Sequence, residues 1–387
     1  MSFGFGWVPE LPHPEPITMA ISYNCLKTDG AARLGRLNTP HGVVETPAFM
    51  PVGTVGAVKG IYPFQVGESG SRILLSNTYH LALRPGDERV ARLGGLHRFM
   101  NWPHAILTDS GGYQVFSLAE RRVVTDQGVQ FRSHLDGSLI DLTPEKAVQI
   151  QENLGSDIAM VLDVCPPAGC PTAEMDEAIR RTLLWAKRCQ NAATRIDQAL
   201  FAIVQGGLDL NARAQCAAEL VAMDFPGYAL GGFSVGESPE SMAQALPACA
   251  SFLPVEKPRY LMGVGRPQDL IAGMAAGIDM FDCVLPTRNG RNASAYTATG
   301  EVRMRNARHR DDPSPLENGC PCPCCTQYSR AYLHHLFAAE EMLGPMLLSL
   351  HNLWFYQRIM REARQAIAND CFHTWAGEWL VRLEKTP

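Results

Sequence analysis

The segment CPCPCCTQYSRAYLHH, from Cys320 to His335, places four cysteines in its first six residues. Clustered thiols close disulfides, exchange electrons or hold a metal. The chain has twelve cysteines in 387 residues, and the other eight are scattered: Cys25, Cys165, Cys170, Cys189, Cys216, Cys249, Cys283 and Cys371. That is not the disulfide framework of a small secreted domain. The opening MSFGFGWVPELPHPEP has neither the basic start nor the apolar centre of a secretory signal. No apolar run reaches the length of a membrane span. These features predict a cytoplasmic protein with reduced thiols, in which the cluster reads as a zinc site. Zinc takes about four tetrahedral Cys or His ligands. Adjacent Cys324 and Cys325 point in different directions, so Cys320, Cys322 and one of that pair supply three. A histidine supplies the fourth, and spacing leaves His309, His334, His335 and His351 all open.

A second set of chemical groups recurs at the ends of short apolar runs. Asn77, Asp109, Asp163, Gln205, Gly231 with Gly232, Met262 with Gly263, and Asp282 each close one. A single terminal Asp is an ordinary helix cap. Three of them, with Asn and Gln at the equivalent place, point to a shared site.

The elements that carry these groups are eight runs: TPAFMPVGT (46–54), RILLSNT (72–78), HAILTDSGG (104–112), DIAMVLDVC (157–165), ALFAIVQGG (199–207), GYALGGFSV (227–235), RYLMGVG (259–265) and GIDMFDCV (277–284). Amphipathic stretches such as PEKAVQIQENLG and MDEAIRRTLLWAKRCQNAATRI lie between them. Buried strands alternating with helices give a parallel sheet. Eight of them predict a (β/α)8 TIM barrel, with a doubly wound open sheet as the competing architecture. In a barrel, all C-terminal strand ends share the face that carries the active site. The apolar content of 46% supports a large core. VQFRSHLDGSLIDLTP reads as an added hairpin, and the cysteine cluster as an inserted zinc-binding subdomain between the eighth strand and a last helix, LHNLWFYQRIMREARQAI. The predicted divisions are an extension over 1–21, the barrel over 22–300 and 352–387, and the subdomain over 301–351.

The net charge of −5 does not itself point to nucleic acid. Locally the balance reverses: Arg288, Arg291, Arg303, Arg305, Arg308 and Arg310 face one acid, Glu301, across that stretch. Guanidinium forks suit phosphates. The alternative is a solvated charged loop with Asp311 and Asp312 as counterions.

The motifs TPAFMPVGT, LLSNTYHLALRPG, LTDSGGYQVFSL, HLDGS, IVQGG, GGFSVGE, YLMGVG, FDCVLPTRNGR and CPCPCC with SRAYLHH and LHN run in order along the chain. They resemble the tRNA-guanine transglycosylase family, bacterial type, from about residue 22 onward. The resemblance implies a barrel with an inserted zinc subdomain. Its Cys-x-Cys-x-x-Cys pattern and later histidine fall on Cys320, Cys322, Cys325 and His351, with Cys324 spare. Four protein ligands make the zinc structural. The implied reaction exchanges guanine at the wobble position of tRNAs with GUN anticodons for a 7-deazaguanine base, by way of a covalent enzyme–ribose intermediate. Asp282 falls on the nucleophile and Asp109 on the acid/base. Asn77 falls where the family orients the nucleophile. Ser110, Asp163, Gln205 and the Gly232 N–H fall on groups that hold the base, Tyr113 and Met262 on those that sandwich it, and Arg288 and Arg291 on those that bind the anticodon. The family implies a homodimer and no redox or nucleotide cofactor.

Two departures bear on the incoming base. Bacterial members usually have Asp-Glu-Cys where this chain has Asp163-Val164-Cys165, and Gly-Leu-Ala-Val-Gly-Glu where it has Gly232-Phe-Ser-Val-Gly-Glu237. The eukaryotic pattern has Val at Cys165 and Gly at Val235, and this chain keeps the bacterial residue at both. That predicts 7-aminomethyl-7-deazaguanine over the bulkier queuine. A non-catalytic tRNA-binding subunit would be expected to lose Asp109 or Asp282, and a zinc hydrolase would need an open metal position. The archaeal branch usually carries further C-terminal RNA-binding domains, which this chain is not expected to have.

Overall fold

Each of the eight apolar runs forms a parallel strand: β1 (Ala48–Pro51), β2 (Ile73–Ser76), β3 (Ala105–Thr108), β4 (Ile158–Met160), β5 (Ala199–Val204), β6 (Tyr228–Leu230), β7 (Arg259–Leu261) and β8 (Met280–Cys283). Every residue in them is buried. Burial on both faces is why the runs are continuously apolar rather than alternating. The strands are shorter than the runs, because the polar residues at the run ends have already turned into loops. This computed structural model describes residues 20–114 and 122–384. Nearly all of the expected N-terminal extension, and the last four residues of LTDSGGYQVFSL, lie outside the described residues.

The strand order is β1-β8-β7-β6-β5-β4-β3-β2. β8 pairs back onto β1, with Phe281 beside Phe49. The remaining seam closes between β1 and β2, where Val52 bridges Leu75 and the Gly53 N–H donates to the Leu75 carbonyl at 2.7 Å. First strand against last excludes the open doubly wound sheet. The hairpin expected over 129–144 is present as Val129–Arg132 and Leu139–Leu142, with Arg122–Val124 as a third antiparallel strand.

An antiparallel meander that the sequence reading did not foresee, Ser22–Asp29, Ala32–Thr39 and Gly42–Thr46, is tied to the N-terminal ends of the barrel strands. Two buried acids just before strands receive it. Asp279 accepts from the Tyr23 hydroxyl at 2.6 Å and pairs with Arg33 at 3.2 Å. Asp157 accepts from His41 Nδ1 at 2.7 Å, His97 Nε2 at 3.1 Å and the Ile106 N–H at 2.8 Å. Burial alone would raise the Asp157 carboxyl; the histidine hydrogen bonds outweigh it and hold it at about 2. The two imidazoles stack at 3.5 Å with 12° between their planes. Their in-plane lone pairs therefore run parallel, and no single metal ion lies in both planes. Two N–H donors on one carboxylate account for the cluster.

Beyond β8 the chain builds a second, smaller hydrophobic cluster that includes Ala295, Val302, Leu316, Leu333, Phe337 and all four clustered cysteines. The long helix starts earlier than the LHN motif, running Leu343–Ala368. Its Leu347 and Leu348 belong to the second cluster and its residues from Leu350 to Ile367 to the barrel core. One rod of about 39 Å thus joins the two. The short helix Leu285–Arg291 lies backbone-to-backbone against it: a Cβ on Gly290 would sit 2.5 Å from the Ser349 N and 2.6 Å from its Cα. Neither helix axis has a side chain to rotate away. Gly290→Ala is expected to cost roughly 1–3 kcal/mol by overpacking, read as a fall of a few degrees in the thermal unfolding midpoint. An unchanged midpoint would show that the two helices are free to slide apart.

Candidate active site and metal centre

The C-terminal ends of the strands open into a cavity of about 540 Å3. Asn77, Asp109, Ser110, Tyr113, Asp163, Gln205, Gly232, Met262, Asp282 and Arg288 all line it. Arg291 is the one site residue expected there that does not. Of the cavity's carboxylates, Asp109 and Asp163 follow the adjacent strands β3 and β4 and Asp282 lies on β8 across the barrel, so closure of the sheet is what brings Asp282 into the same space.

Asp282 is nearly buried at the end of β8. Its Oδ1 accepts from the Tyr260 hydroxyl at 2.6 Å and from the Gly263 N–H at 2.7 Å. Among the described residues both donors fall on this one oxygen and none on Oδ2. Burial raises its pKa, against the lowering effect of these two bonds. Asp109 carries three donors: the Asn77 amide and the Gln114 amide (2.8 Å) on Oδ2, and the Thr78 N–H (2.8 Å) on Oδ1. Burial pushes Asp109 up to about 6 against those donors, and the charge of Asp282 adds to the rise. Asn77 therefore orients Asp109, whereas the family resemblance had linked it to the nucleophile.

Asp163 accepts from Gln205 Nε2 at 2.6 Å, with the Ser110 hydroxyl beside it. Burial again pushes it to about 6. Gly232 takes φ +67°, and a Cβ there would meet Gln205 Oε1 at 2.5 Å. Only glycine allows both the left-handed turn and this approach. Tyr113 is half exposed at the mouth and Met262 is partly buried. The Glu237 carboxylate accepts from the Ser234 and Val235 N–H groups and so folds the 232–237 loop around the cavity wall.

Three contributors were missed from sequence: Tyr260, Gln114 and Thr78. Tyr260 had a readable signal, since it stands on β7, whose apolar run RYLMGVG carries Met262 and Gly263 at its end. Gln114 and Thr78 had none: Thr78 depends on where the end of β3 lies, and Gln114 on how the loop after Asp109 folds back onto it.

Cys320, Cys322, Cys325 and His351 form a buried group whose ligand atoms all lie within 4.8 Å of one another; Cys324, also buried, stays outside it, as do His309, His334 and His335. The three sulfurs stand 3.8, 3.4 and 3.3 Å from His351 Nδ1. An ion with bonds of about 2.3 Å to sulfur and about 2.0–2.1 Å to nitrogen, tetrahedrally placed, sets that separation at about 3.5–3.6 Å. The residues fit a metal ion. His351 Nε2 donates to the Tyr296 carbonyl at 2.8 Å, which fixes the proton there and frees Nδ1 for the ion.

The LHN motif gains its meaning from the next residue. Asn352 accepts from the Tyr296 N–H at 2.9 Å and donates to the Pro286 and Ser294 carbonyls at 2.8 and 3.1 Å. The metal ligand and its neighbour thus pin the segment carrying Arg288 and Arg291. Arg288 is exposed, and Arg291 Nη1 is buried without a partner. Asp312 pairs with Arg330 at 3.3 Å and not with this arginine set. Cys322→Ser should drop bound metal per chain to near zero, measured by elemental analysis, while Cys324→Ser should hold the wild-type level. Equal loss in both would reassign the ligands.

Sequence comparison agrees with the geometry. The family model described as Queuine tRNA-ribosyltransferase matches residues 28–385. A protein of Sorangium cellulosum named Queuine tRNA-ribosyltransferase is 56% identical over 364 residues, 94% of this chain and 92% of its own length. Proteins of the same name from Solidesulfovibrio magneticus and Cereibacter sphaeroides are 54% and 52% identical, over 90% and 91% of this chain and 94% of each relative. The chain belongs to the queuine tRNA-ribosyltransferase family.

Proposed function

We propose that the protein is a tRNA-guanine transglycosylase of queuosine biosynthesis. It exchanges guanine at the wobble position of GUN-anticodon tRNAs for a 7-deazaguanine base. The observation that carries this is the pairing, in one cavity, of two buried carboxylates held differently: Asp282 with one oxygen undonated, Asp109 with donors on both and a pKa pushed up to about 6.

In the proposed sequence the flipped guanine meets Asp163 and Gln205 at its polar edge. Asp282 attacks C1′, the bond from C1′ to N9 breaks, and guanine leaves with a proton from Asp109. Asp109, now ionised, takes the N9 proton of the incoming base, whose nitrogen displaces Asp282. The glycosidic bond energy is kept in the ester, so no external energy source is needed. A group titrating near 6 suits both proton transfers at neutral pH. Arg288 and Arg291 take the phosphates of the anticodon. The metal is zinc; with four protein ligands it has no open position, and it serves as a structural clamp for the tRNA-binding region.

The proposed incoming base is 7-aminomethyl-7-deazaguanine. Cys165 and Val235 keep the wall narrow, and overpacking by a larger substituent costs about 1–3 kcal/mol. Val164 is not among the residues that line the cavity, so a carboxylate missing at that position is not one that faces the incoming base. Val164 is itself buried, its N–H given to the Thr182 hydroxyl at 3.1 Å. In competition for one tRNA, kcat/KM should favour the aminomethyl base. A tenfold or greater preference for queuine, about 1.4 kcal/mol, would overturn the volume argument.

Asp282→Asn should bind tRNA yet form no adduct stable on a denaturing gel, and a normal adduct would remove Asp282 from the nucleophile's role. With the native protein, base exchange should fall toward acid with a midpoint near pH 6. Below that value Asp163, pushed up to about 6 by burial, carries its proton and no longer accepts from the base, whereas Asp109 must hold its proton for guanine to leave. A rate flat from pH 7 down to 5 would contradict the assignment.

A further inference from the structure

Arg213, on the helix Leu210–Ala222, is wholly buried, and among the described residues no carboxylate pairs with it. An unpaired buried cation is costly, so its contacts matter. Its Nε donates to the Gly207 carbonyl at 2.8 Å and its Nη1 to the Val204 carbonyl at 2.9 Å. Those two carbonyls bracket Gln205 and Gly206. Its guanidinium carbon lies 4.0 Å from the centre of the Phe233 ring. Phe233 follows Gly232 directly and replaces the leucine of the usual bacterial pattern. The residue is 3% exposed and forms part of the cavity wall, with its ring packed on the arginine. Among the described residues Nη2 has no partner, and a Cβ on Gly232 would stand 3.7 Å from it.

One side chain thus grips the turn that carries Gln205 and, through Phe233, the turn that carries Gly232. The second turn is held in conformations that need support, with φ +67° at Gly232 and +59° at Ser234. We infer that Arg213 and Phe233 form a clamp that positions Gln205 and Gly232 for reading the heterocyclic base. Arg213 is a positioning residue and touches neither base nor ribose. The inference rests on the transglycosylase reading above. Lysine cannot replace it, because a single ammonium cannot span two carbonyls and lie flat on a ring. In this chain phenylalanine supplies the stacking face that leucine would lack.

The test compares the native protein with Arg213→Lys, Phe233→Leu and the double variant, using radiolabelled guanine and unmodified GUN-anticodon tRNA. Arg213→Lys should raise the KM for guanine about tenfold and leave kcat within about twofold, the signature of weakened base binding without loss of chemistry. The double variant should raise KM no further than Arg213→Lys alone, since clamp partners are not additive. An unchanged KM, additive increases, or a fall in kcat at constant KM would each overturn the clamp. If Arg213→Lys does not fold, Phe233→Leu decides: a raised KM supports the clamp and an unchanged KM sinks it. A native protein that exchanges no guanine would sink the transglycosylase reading instead. The clamp is then read from guanine Kd by calorimetry in the same proteins, with the same two outcomes.

Discussion

A carboxylate taken out of water must be met by donors or must hold its proton more tightly, and three of them stand at the mouth of this barrel. Asp109, Asp163 and Asp282 all have their pKa values raised, and in each burial is the largest cause. The surrounding architecture is organised around that constraint. Asn77, Thr78 and Gln114 converge on Asp109, Gln205 on Asp163, and Tyr260 with Gly263 on Asp282. Gln114 comes from Asp109's own loop and the other donors from a neighbouring strand or the loop after it, so the site depends on strands paired in this order. At the opposite end the same problem has a different solution: two histidines and a backbone N–H hold Asp157 at about 2. An ionised acid there fastens the covering meander, while burial at the mouth pushes Asp109 and Asp163 up to about 6.

The metal group extends this design past the barrel. His351 and Asn352 are consecutive on the long helix, one reaching the cysteines and both binding Tyr296. Gly290 lets the arginine-bearing helix lie directly on that rod. Cysteines, histidine, helix and arginines thus form one continuous chain of contacts from the ion site to the rim beside Asp282. Binding free energy of a metal in such a site is also folding free energy, so metal loss would loosen the arginine-bearing rim without touching the carboxylates.

The eight strands were legible because burial on both faces leaves no polar alternation to confuse the pattern, and their polar ends named most of the cavity. The metal group was half legible. Spacing gives Cys320, Cys322 and one of Cys324 and Cys325, but His351 lies 26 residues after Cys325, and only family resemblance selected Cys325 over Cys324 and His351 over nearer histidines. The N-terminal meander escaped notice because its first strand, SYNCLKTD, is partly or fully exposed along its length and so lacks a hydrophobic period. Hydrogen-bond partners were not legible at all. That Asn77 serves Asp109, or that Arg213 braces two turns at once, depends on distances between elements remote in sequence.

The central claim is that Asp282 is the atom donor to C1′. Mass spectrometry of a peptic digest, made after denaturing trapping of the native protein with unmodified GUN-anticodon tRNA, tests it most directly. After nuclease trimming of the RNA, the account predicts the mass of a base-free ribose phosphate on the peptide containing Asp282 and none on that containing Asp109. The same mass on the Asp109 peptide, or base exchange without any adduct, would contradict it.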